Sequence, residues 1–348
     1  MKILGIESSC DETAASVVED GRVLLSNVVN SQIDIHALYG GVIPEVAARS
    51  HIEVINPVIN QALADAHLTW DDIDGIAVTY APGLIGSLLV GTLAARTLAV
   101  LKNKPLYPIH HVEAHVYANF LNEKAPEFPL LALIVSGGHS QLVLFRGHGD
   151  FELLGQTQDD AVGEAFDKVA KILGLPYPGG PSIAKAALTG NPHAYSLPKA
   201  KMAGQYDFSF SGLKTAVLRA VQREVNVDFT FPSSGLPALL NDAQRADFAA
   251  SFQRIAVETL VDKTEQAYHD HHPASVVIAG GVAANSELRR QLSERLPIQI
   301  DYAPMELCTD NAAMVATLGY YYAQKVQPIN PFDLEVIPSL SMTKTAWA

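Results

Sequence analysis

The chain has 348 residues, 48% of them hydrophobic, with 24 Lys+Arg against 37 Asp+Glu for a net charge of −13. That length and apolar content can fill two domains of ordinary size, and the acidic balance gives a field that repels polyanions rather than steering them. Two cysteines, Cys10 and Cys308, exclude a disulfide framework, and "MKILGIESSC" has neither the basic nor the apolar region of a secretory leader, so a cytoplasmic setting is expected.

In chain order, Ile3 to Glu7, Ala15 to Val18 and Val23 to Val29 alternate as strands around "SSCDET" and "EDG", predicting a meander. From Pro44 a helical pattern places Ile55, Val58, Ile59, Ala62, Leu63 and Ala66 on one face, with a kink expected at Pro57. A strand "IAVTYAPG", a helix from Leu84, a strand "PLYPIH" and a helix containing Glu113 to Leu121 follow in α/β order. The run Leu84 to Leu101 barely reaches the roughly 20 apolar residues of a membrane span and contains Arg96, so it reads as a buried core helix, with no membrane implied.

At Leu130 the opening pattern returns: "LLALIVSGGHSQLVLF" is strand, turn, strand, and Phe151 to Thr157 is a third strand. The rhyme predicts two similar domains from a duplication, 1–125 and 126–348. The second carries a helix from Asp159 to Leu173, a "PYPGGP" loop, and a stretch rich in Gly, Pro, Ser and Asn at 190–240 that reads as a surface insertion or lid. A long helix from Asn241 to His269 leads to "ASVVIAGGVAANSELRRQL", a buried strand, a Gly-Gly turn and a helix. The last element, "CTDNAAMVATLGYYYAQ", is a helix with Asp310 at its entrance.

The sharpest chemical signal is "HHVEAH", His110 to His115. Residues four apart on a helix lie about 40° apart in azimuth, so His111 and His115 can grip one metal ion. A zinc protease of the HExxH type needs its Glu directly after the first His, whereas Glu113 lies two residues on, about 200° round the helix. His110 is also off the shared face. Two ligands are too few, and Asp310 is the preferred third, although an Asp at a helix start also reads as an N-cap; His139 is the runner-up.

Gly-Gly turns form a second constellation. "VSGGHS" exposes backbone N–H groups where a strand reverses, fit for a phosphate or acyl group, and "IAGGVAANSELRR" lets a base or ribose lie against backbone. Neither GxGxxG nor GxxxxGK[ST] spacing is present, which excludes dehydrogenase and P-loop readings. "ESSCDET" sets Glu7, Asp11 and Glu12 around the first turn, where carboxylates can face a metal-bound phosphate or accept a proton, or simply be solvated.

Taken in order, "GIESSCDETAASVV", "HALYGGVIPEVAARSH", "APGLIGSLLVG", "HHVEAH", "LIVSGGHSQLV", "DDAVGEAFDKVAK", "YPGGP", "FSFSGLKTAV", "IAGGVAANSELR" and "CTDNAAMVA" resemble the TsaD family, formerly called O-sialoglycoprotein endopeptidases. The resemblance implies an actin-like ATPase (ASKHA) fold, two duplicated α/β domains with a cleft between them. It implies transfer of a threonylcarbamoyl group from threonylcarbamoyl-AMP to N6 of the adenosine beside the anticodon (position 37) in tRNAs reading codons that begin with A. On this resemblance His111, His115 and Asp310 match ligands of a divalent metal, Fe(2+) or alternatively Zn(2+). Val135, Ser136, Gly137, Gly138, His139, Asp167, Gly180 and Asn285 match substrate-binding positions, and Asp11 and Glu12 match acidic positions that serve catalysis. The family works with TsaB-like and TsaE-like partner proteins, in keeping with an acidic chain that binds tRNA poorly alone. Ala184 departs from the pattern, since many members carry Asp or Ser there. A metallopeptidase and a non-catalytic nucleotide-binding scaffold are the rival readings. Glu113 is misplaced for the first, and scaffolds of the second kind lack the metal histidines.

Overall fold

A computed structural model describes residues 1–344. The first compact unit comprises Met1–Pro126, His148–Asp150 and the described chain from Tyr302 onward; the second comprises Glu127–Gly147 and Phe151–Asp301.

The first unit opens with the expected meander, β1 (Lys2–Glu7), β2 (Glu12–Glu19) and β3 (Val23–Ser31). After a short helix α1 (Ile33–Ala37), helix α2 (Pro44–Asp65) runs unbroken through Pro57. Strand β4 (Gly75–Ala81), helix α3 (Ile85–Lys102), strand β5 (Leu106–His110) and helix α4 (His111–Tyr117) follow, and Ala118–Leu121 tightens into a 3-10 turn where the sequence suggested one continuous helix. The sheet order is β3-β2-β1-β4-β5, with β1 antiparallel to β2 and parallel to β4. Leu4, Ile6, Ile55, Ile59 and Val78 form the core beneath α2 and α3.

Helix α3 corrects the expectation of a buried helix. It is long and apolar enough by composition to cross a membrane, yet only a third of it is buried. Ser87, Leu88, Gly91, Thr92, Ala95 and Ala99 meet the sheet side, while Leu93 and Leu101 are 63% and 72% exposed. Small residues on one face let the helix lie close to β4, while Leu89, Leu93 and Leu101 occupy the other.

The second unit repeats the topology. β6 (Leu130–Val135) pairs antiparallel with β7 (Ser140–Gly147), which precedes β8 (Asp150–Gln156). Helices α5 (Val162–Leu173), α6 (Gly179–Ala187), α7 (Ser211–Glu224) and α8 (Asp242–His271) lead to β9 (Ser275–Ala279), parallel to β6, then α9 (Ser286–Arg295) and β10 (Ile300–Tyr302). The order β10-β9-β6-β7-β8 mirrors the first sheet strand for strand, the duplicated α/β arrangement that the sequence resemblance implied. Leu131, Leu133 and Val135 pack beneath Phe166 and Phe252, whose rings meet edge to face at 5.0 Å.

Three expectations change here. Helix α5 starts at Val162, not Asp159, because both preceding carboxylates are committed elsewhere. Asp159 accepts from the Phe210 N–H at 2.8 Å and the Ser211 hydroxyl at 2.6 Å, and Asp160 pairs with Lys168 at 3.0 Å and Lys214 at 2.9 Å. The stretch 190–240 is not all insertion, since Leu213, Val217 and Val221 form a buried stripe on α7 and Leu236 enters the same core; flanking Gly, Pro and Ser mask that helical period in the composition. Finally, the last helix, α10 (Ala312–Ala323), belongs with the first unit rather than with everything after 125, because it covers β1, β2 and β4.

Candidate active site

Side chains alternate along a strand, so Ile3, Gly5 and Glu7 share the face of β1 opposite Leu4 and Ile6. That face receives α10. A methyl on Gly5 would lie 2.3 Å from the Ala312 carbonyl oxygen and 2.7 Å from the Ala316 nitrogen, so the bare backbone is what admits the helix. Glu7, next on this face, is fully buried. Gly5 sits beside Ala77 in the parallel β1/β4 register, which brings Thr79 alongside Glu7. The Thr79 hydroxyl donates to Glu7 Oε2 at 2.6 Å, and the Ser9 backbone N–H donates to Oε1 at 2.5 Å.

Helix α4 springs directly from β5. His110 is its N-cap: Nδ1 accepts the Glu113 N–H at 3.5 Å and Nε2 donates to the Leu340 carbonyl at 3.1 Å. Burial pushes this imidazole down to about 4, so it is neutral and spent on the cap. His111, the first helical residue, and His115, one turn on, stack edge to face with ring centroids 4.7 Å apart. His111 Nδ1 lies 3.0 Å from Glu7 Oε2, and its Nε2 lies 3.6 Å from Asp310 Oδ1, which is 3.3 Å from His115 Nε2.

Asp310 reaches the histidines because it does not cap α10. Asn311 does: its Oδ1 accepts the Met314 N–H at 3.0 Å while its amide donates to the Leu307 and Thr309 carbonyls at 3.0 and 2.7 Å. Ligand atoms of His111, His115 and Asp310 all lie within 4.8 Å of one another, and among the described residues neither ring nitrogen of buried His115 makes a hydrogen bond, Nε2 having only the ion-pair contact with Asp310. An orphaned buried imidazole is costly unless a cation completes it. Two imidazoles and a carboxylate with positions left open suit a divalent transition metal, so the residues present fit such an ion.

The charges are tightly linked. Burial works to lower His111, but Asp310 and Glu7 prevail and lift it to about 9. Burial works to raise Glu7, and the His111 charge and hydrogen bond outweigh it, leaving the carboxyl below its ordinary value. Glu12 is pushed up to about 10 by burial and by the charges of Asp310 and Asp11, so without a cation it keeps its proton at neutral pH. Its native-state pKa being raised from 4.5, the stability it confers is complete below that value and is lost as pH climbs toward 10. Metal-free Glu12→Gln is therefore expected to be more stable than wild type at pH 8, by on the order of 1 kcal/mol, with the gap closing toward pH 5. Thermal melts across that range check this; a pH-independent gap would contradict it.

Two neighbours complete the loop that carries Asp11 and Glu12. Buried His51 bonds Thr13 Oγ1 through Nδ1 at 2.7 Å and the Cys10 carbonyl through Nε2 at 2.9 Å. Ser87 donates to that same carbonyl at 3.1 Å. Glu113 faces a different cluster, accepting from the Tyr322 hydroxyl at 3.3 Å, and after burial its charge is the next cause raising the Tyr80 and Tyr117 phenols. It is not placed as a metalloprotease base.

The second unit gathers the other set. Val135 ends β6 and Ser136 to His139 form the turn, closed by Ser136 N–H donating to the His139 carbonyl at 2.8 Å and His139 N–H donating to Ser136 Oγ at 3.1 Å. Gly163 N–H donates to the Ser136 carbonyl at 3.2 Å, and a methyl there would strike Ser136 O at 2.6 Å, so α5 butts directly against the turn. Gly280, at φ +89, passes so near that a methyl would meet Val135 O at 2.5 Å. Above Gly137, Gly138 and Gly180 a Cβ would meet nothing within 4 Å among the described residues, leaving bare backbone facing open space. Asp167 Oδ1 takes the Gly179 N–H at 2.7 Å and so fixes the start of α6. Asn285 caps α9 by accepting the Leu288 N–H at 3.0 Å, and its amide donates to Gln253 at 3.0 Å. The runner-up ligand His139 belongs to this unit, whereas His111, His115 and Asp310 lie wholly in the first. Ala184 lines a cavity of about 230 Å³ with Gln253, Glu287 and Arg290.

Against this geometry, a family model described as "TsaD: tRNA N6-adenosine threonylcarbamoyltransferase" matches residues 23–317. The chain belongs to the TsaD family. A tRNA N6-adenosine threonylcarbamoyltransferase from Symbiobacterium thermophilum is 53% identical over 98% of this chain and 96% of its own length. One from Thermomicrobium roseum is 53% identical over 93% of each. Among solved structures, full-length HypF in its phosphate- and nucleotide-bound form superposes with a TM-score of 0.60 at 12% identity, covering 93% of this chain and 47% of that one, a likeness of fold. As a TsaD member the chain is an acyltransferase that modifies tRNA.

Sequence reasoning missed Thr79, Ser9, His51 and Asn311 as parts of the first-unit site. Thr79 had a signal, an aliphatic hydroxyl in the buried strand "GIAVTYA". Asn311 had the one that was credited to its neighbour.

Proposed function

We propose that this TsaD chain transfers the threonylcarbamoyl group of threonylcarbamoyl-AMP to N6 of the adenosine at position 37, beside the anticodon, in tRNAs reading codons that begin with A. The observation that carries the reading is the convergence of His111, His115 and Asp310 on one point while Asn311 takes over the helix cap. Those three residues would hold one divalent ion, Fe(2+) or Zn(2+). When bound, such an ion stabilises the negative charge that develops on carbonyl and phosphate oxygens in acyl transfer.

The chain's own residues account for the rest. The Gly137 and Gly138 backbone donors, in the turn that Ser136 and His139 close, hold the acyl adenylate, with Val135 ending the strand that presents them. Gly180 gives bare backbone to the adenosine, Asp167 fixes the segment beside it and binds a hydroxyl, and Asn285 contributes what its cap leaves of its hydrogen-bonding capacity. The tRNA amine forms the new C–N bond as the acyl–phosphate C–O bond breaks and AMP leaves. Asp11 or Glu12 accepts the amine proton. The amine is a weak nucleophile, so positioning contributes more than basicity.

The acidic chain needs TsaB-like and TsaE-like partners to engage tRNA, and the reaction belongs in the cytoplasm. Incubation of the chain with threonylcarbamoyl-AMP and unmodified tRNA, with and without those partners, followed by nucleoside mass spectrometry, tests the reading. N6-threonylcarbamoyladenosine is expected when partners are present; no modified adenosine under any condition would refute it.

A further inference from the structure

The Glu7 carboxylate is fully buried, yet nothing in the proposed reaction uses it directly. Its surroundings are specific. Oε1 receives the Ser9 backbone N–H at 2.5 Å, and Oε2 receives the Thr79 hydroxyl at 2.6 Å and faces His111 Nδ1 at 3.0 Å. The Ser9 hydroxyl is a further neighbour of His111 Nδ1, at 3.2 Å. A carboxylate can only accept, so whatever faces it must donate, and His111 must carry a proton on Nδ1. The lone pair of the neutral ring then lies on Nε2, the atom turned toward Asp310 and His115.

We infer that Glu7 is a positioning residue that fixes the His111 tautomer and ring orientation so that Nε2 is presented to a divalent cation. The inference rests on the reading of His111, His115 and Asp310 as a metal site. Outer carboxylates that hold a ligating imidazole affect metal affinity by about 10- to 100-fold in general.

The geometry gives Glu7→Gln a defined consequence. The Ser9 N–H belongs to the backbone and cannot turn away, so the glutamine oxygen must take the Oε1 place. Its amide nitrogen then occupies the Oε2 place and donates toward His111 Nδ1. The Thr79 hydroxyl can rotate to accept, but Nδ1 must now be an acceptor, which moves the ring proton to Nε2 and blocks the ligand lone pair.

The test uses the full chain with Zn(2+) as probe. Chelator-competition titration is expected to show Glu7→Gln binding Zn(2+) about 10- to 100-fold more weakly than wild type. X-ray absorption at the zinc edge is expected to count two imidazoles in wild type and fewer in the variant. Nitrogen NMR of zinc-loaded wild type is expected to show His111 protonated at Nδ1 and bound through Nε2. A merely structural role for Glu7 would leave the imidazole count and tautomer unchanged. Wild-type affinity with two imidazoles in Glu7→Gln, or coordination of wild-type His111 through Nδ1, would overturn the inference while leaving the metal site standing. If the variant does not fold, the wild-type tautomer decides alone. Wild type that takes up no Zn(2+) would instead overturn the metal reading, and this inference with it.

Discussion

Replacing His115 with alanine is expected to abolish metal retention and cut threonylcarbamoyl transfer on the order of 100-fold or more while leaving the fold intact. Loss of an outer partner alone typically costs about 10- to 100-fold in metal affinity, and His115 would be a direct ligand. The side chain is 1% exposed, and among the described residues neither ring nitrogen makes a hydrogen bond. Removing it therefore breaks no hydrogen bond, only the 3.3 Å contact with Asp310, and relieves the burial of two polar atoms, which offsets part of the cavity it leaves. Metal content, product yield and melting temperature measured on one preparation separate these effects. A collapse in melting temperature with metal retained would show that His115 serves packing.

The second large effect is expected at Gly5, a residue with no side chain to react. Gly5→Ala forces a methyl to within 2.3 Å of the Ala312 carbonyl and 2.7 Å of the Ala316 nitrogen, both in the first turns of α10. These are backbone atoms, so the helix itself must move. Overpacking of this kind costs about 1 to 3 kcal/mol. Asp310 sits two residues ahead of Ala312 and moves with it, so metal affinity should fall together with stability. Denaturant unfolding and metal titration check the pair; a destabilised variant with unaltered metal affinity would mean that Asp310 is held independently of α10.

Much of this arrangement was legible in the sequence, for reasons that can be named. Period-two alternation exposed β1 to β3 and their counterparts β6 to β8, and because the same pattern returned at Leu130 the duplication was readable without any repeated side chains. The spacing of His111 and His115 gave the half-site, since helical geometry is local. What was not legible depended on tertiary packing. α7 was hidden because its buried stripe of Leu213, Val217 and Val221 lies in a stretch whose composition is set by its flanks. The half-exposed setting of α3 was not legible because hydropathy counts apolar residues without saying which side they take, and Leu89, Leu93 and Leu101 occupy the exposed face. The return of α10 to the first unit follows from Gly5 and Gly319, whose missing side chains only the packed structure explains. The choice between Asp310 and Asn311 as cap could not be made from residue preference, because both types cap well; the hydrogen bonds of Asn311 decide it.

The "HHVEAH" segment thus divides its labour among neighbours. His110 closes the helix start, His111 and His115 face Asp310, and Glu113 joins a tyrosine cluster. The most direct test of the site's role is the yield of N6-threonylcarbamoyladenosine from metal-stripped chain and from the same chain reloaded with Fe(2+) or Zn(2+), each supplied with threonylcarbamoyl-AMP, tRNA and partner proteins. Loss of product on stripping and recovery on reloading is the expected result, with no recovery in Asp310→Asn; equal product from stripped and reloaded protein would contradict it.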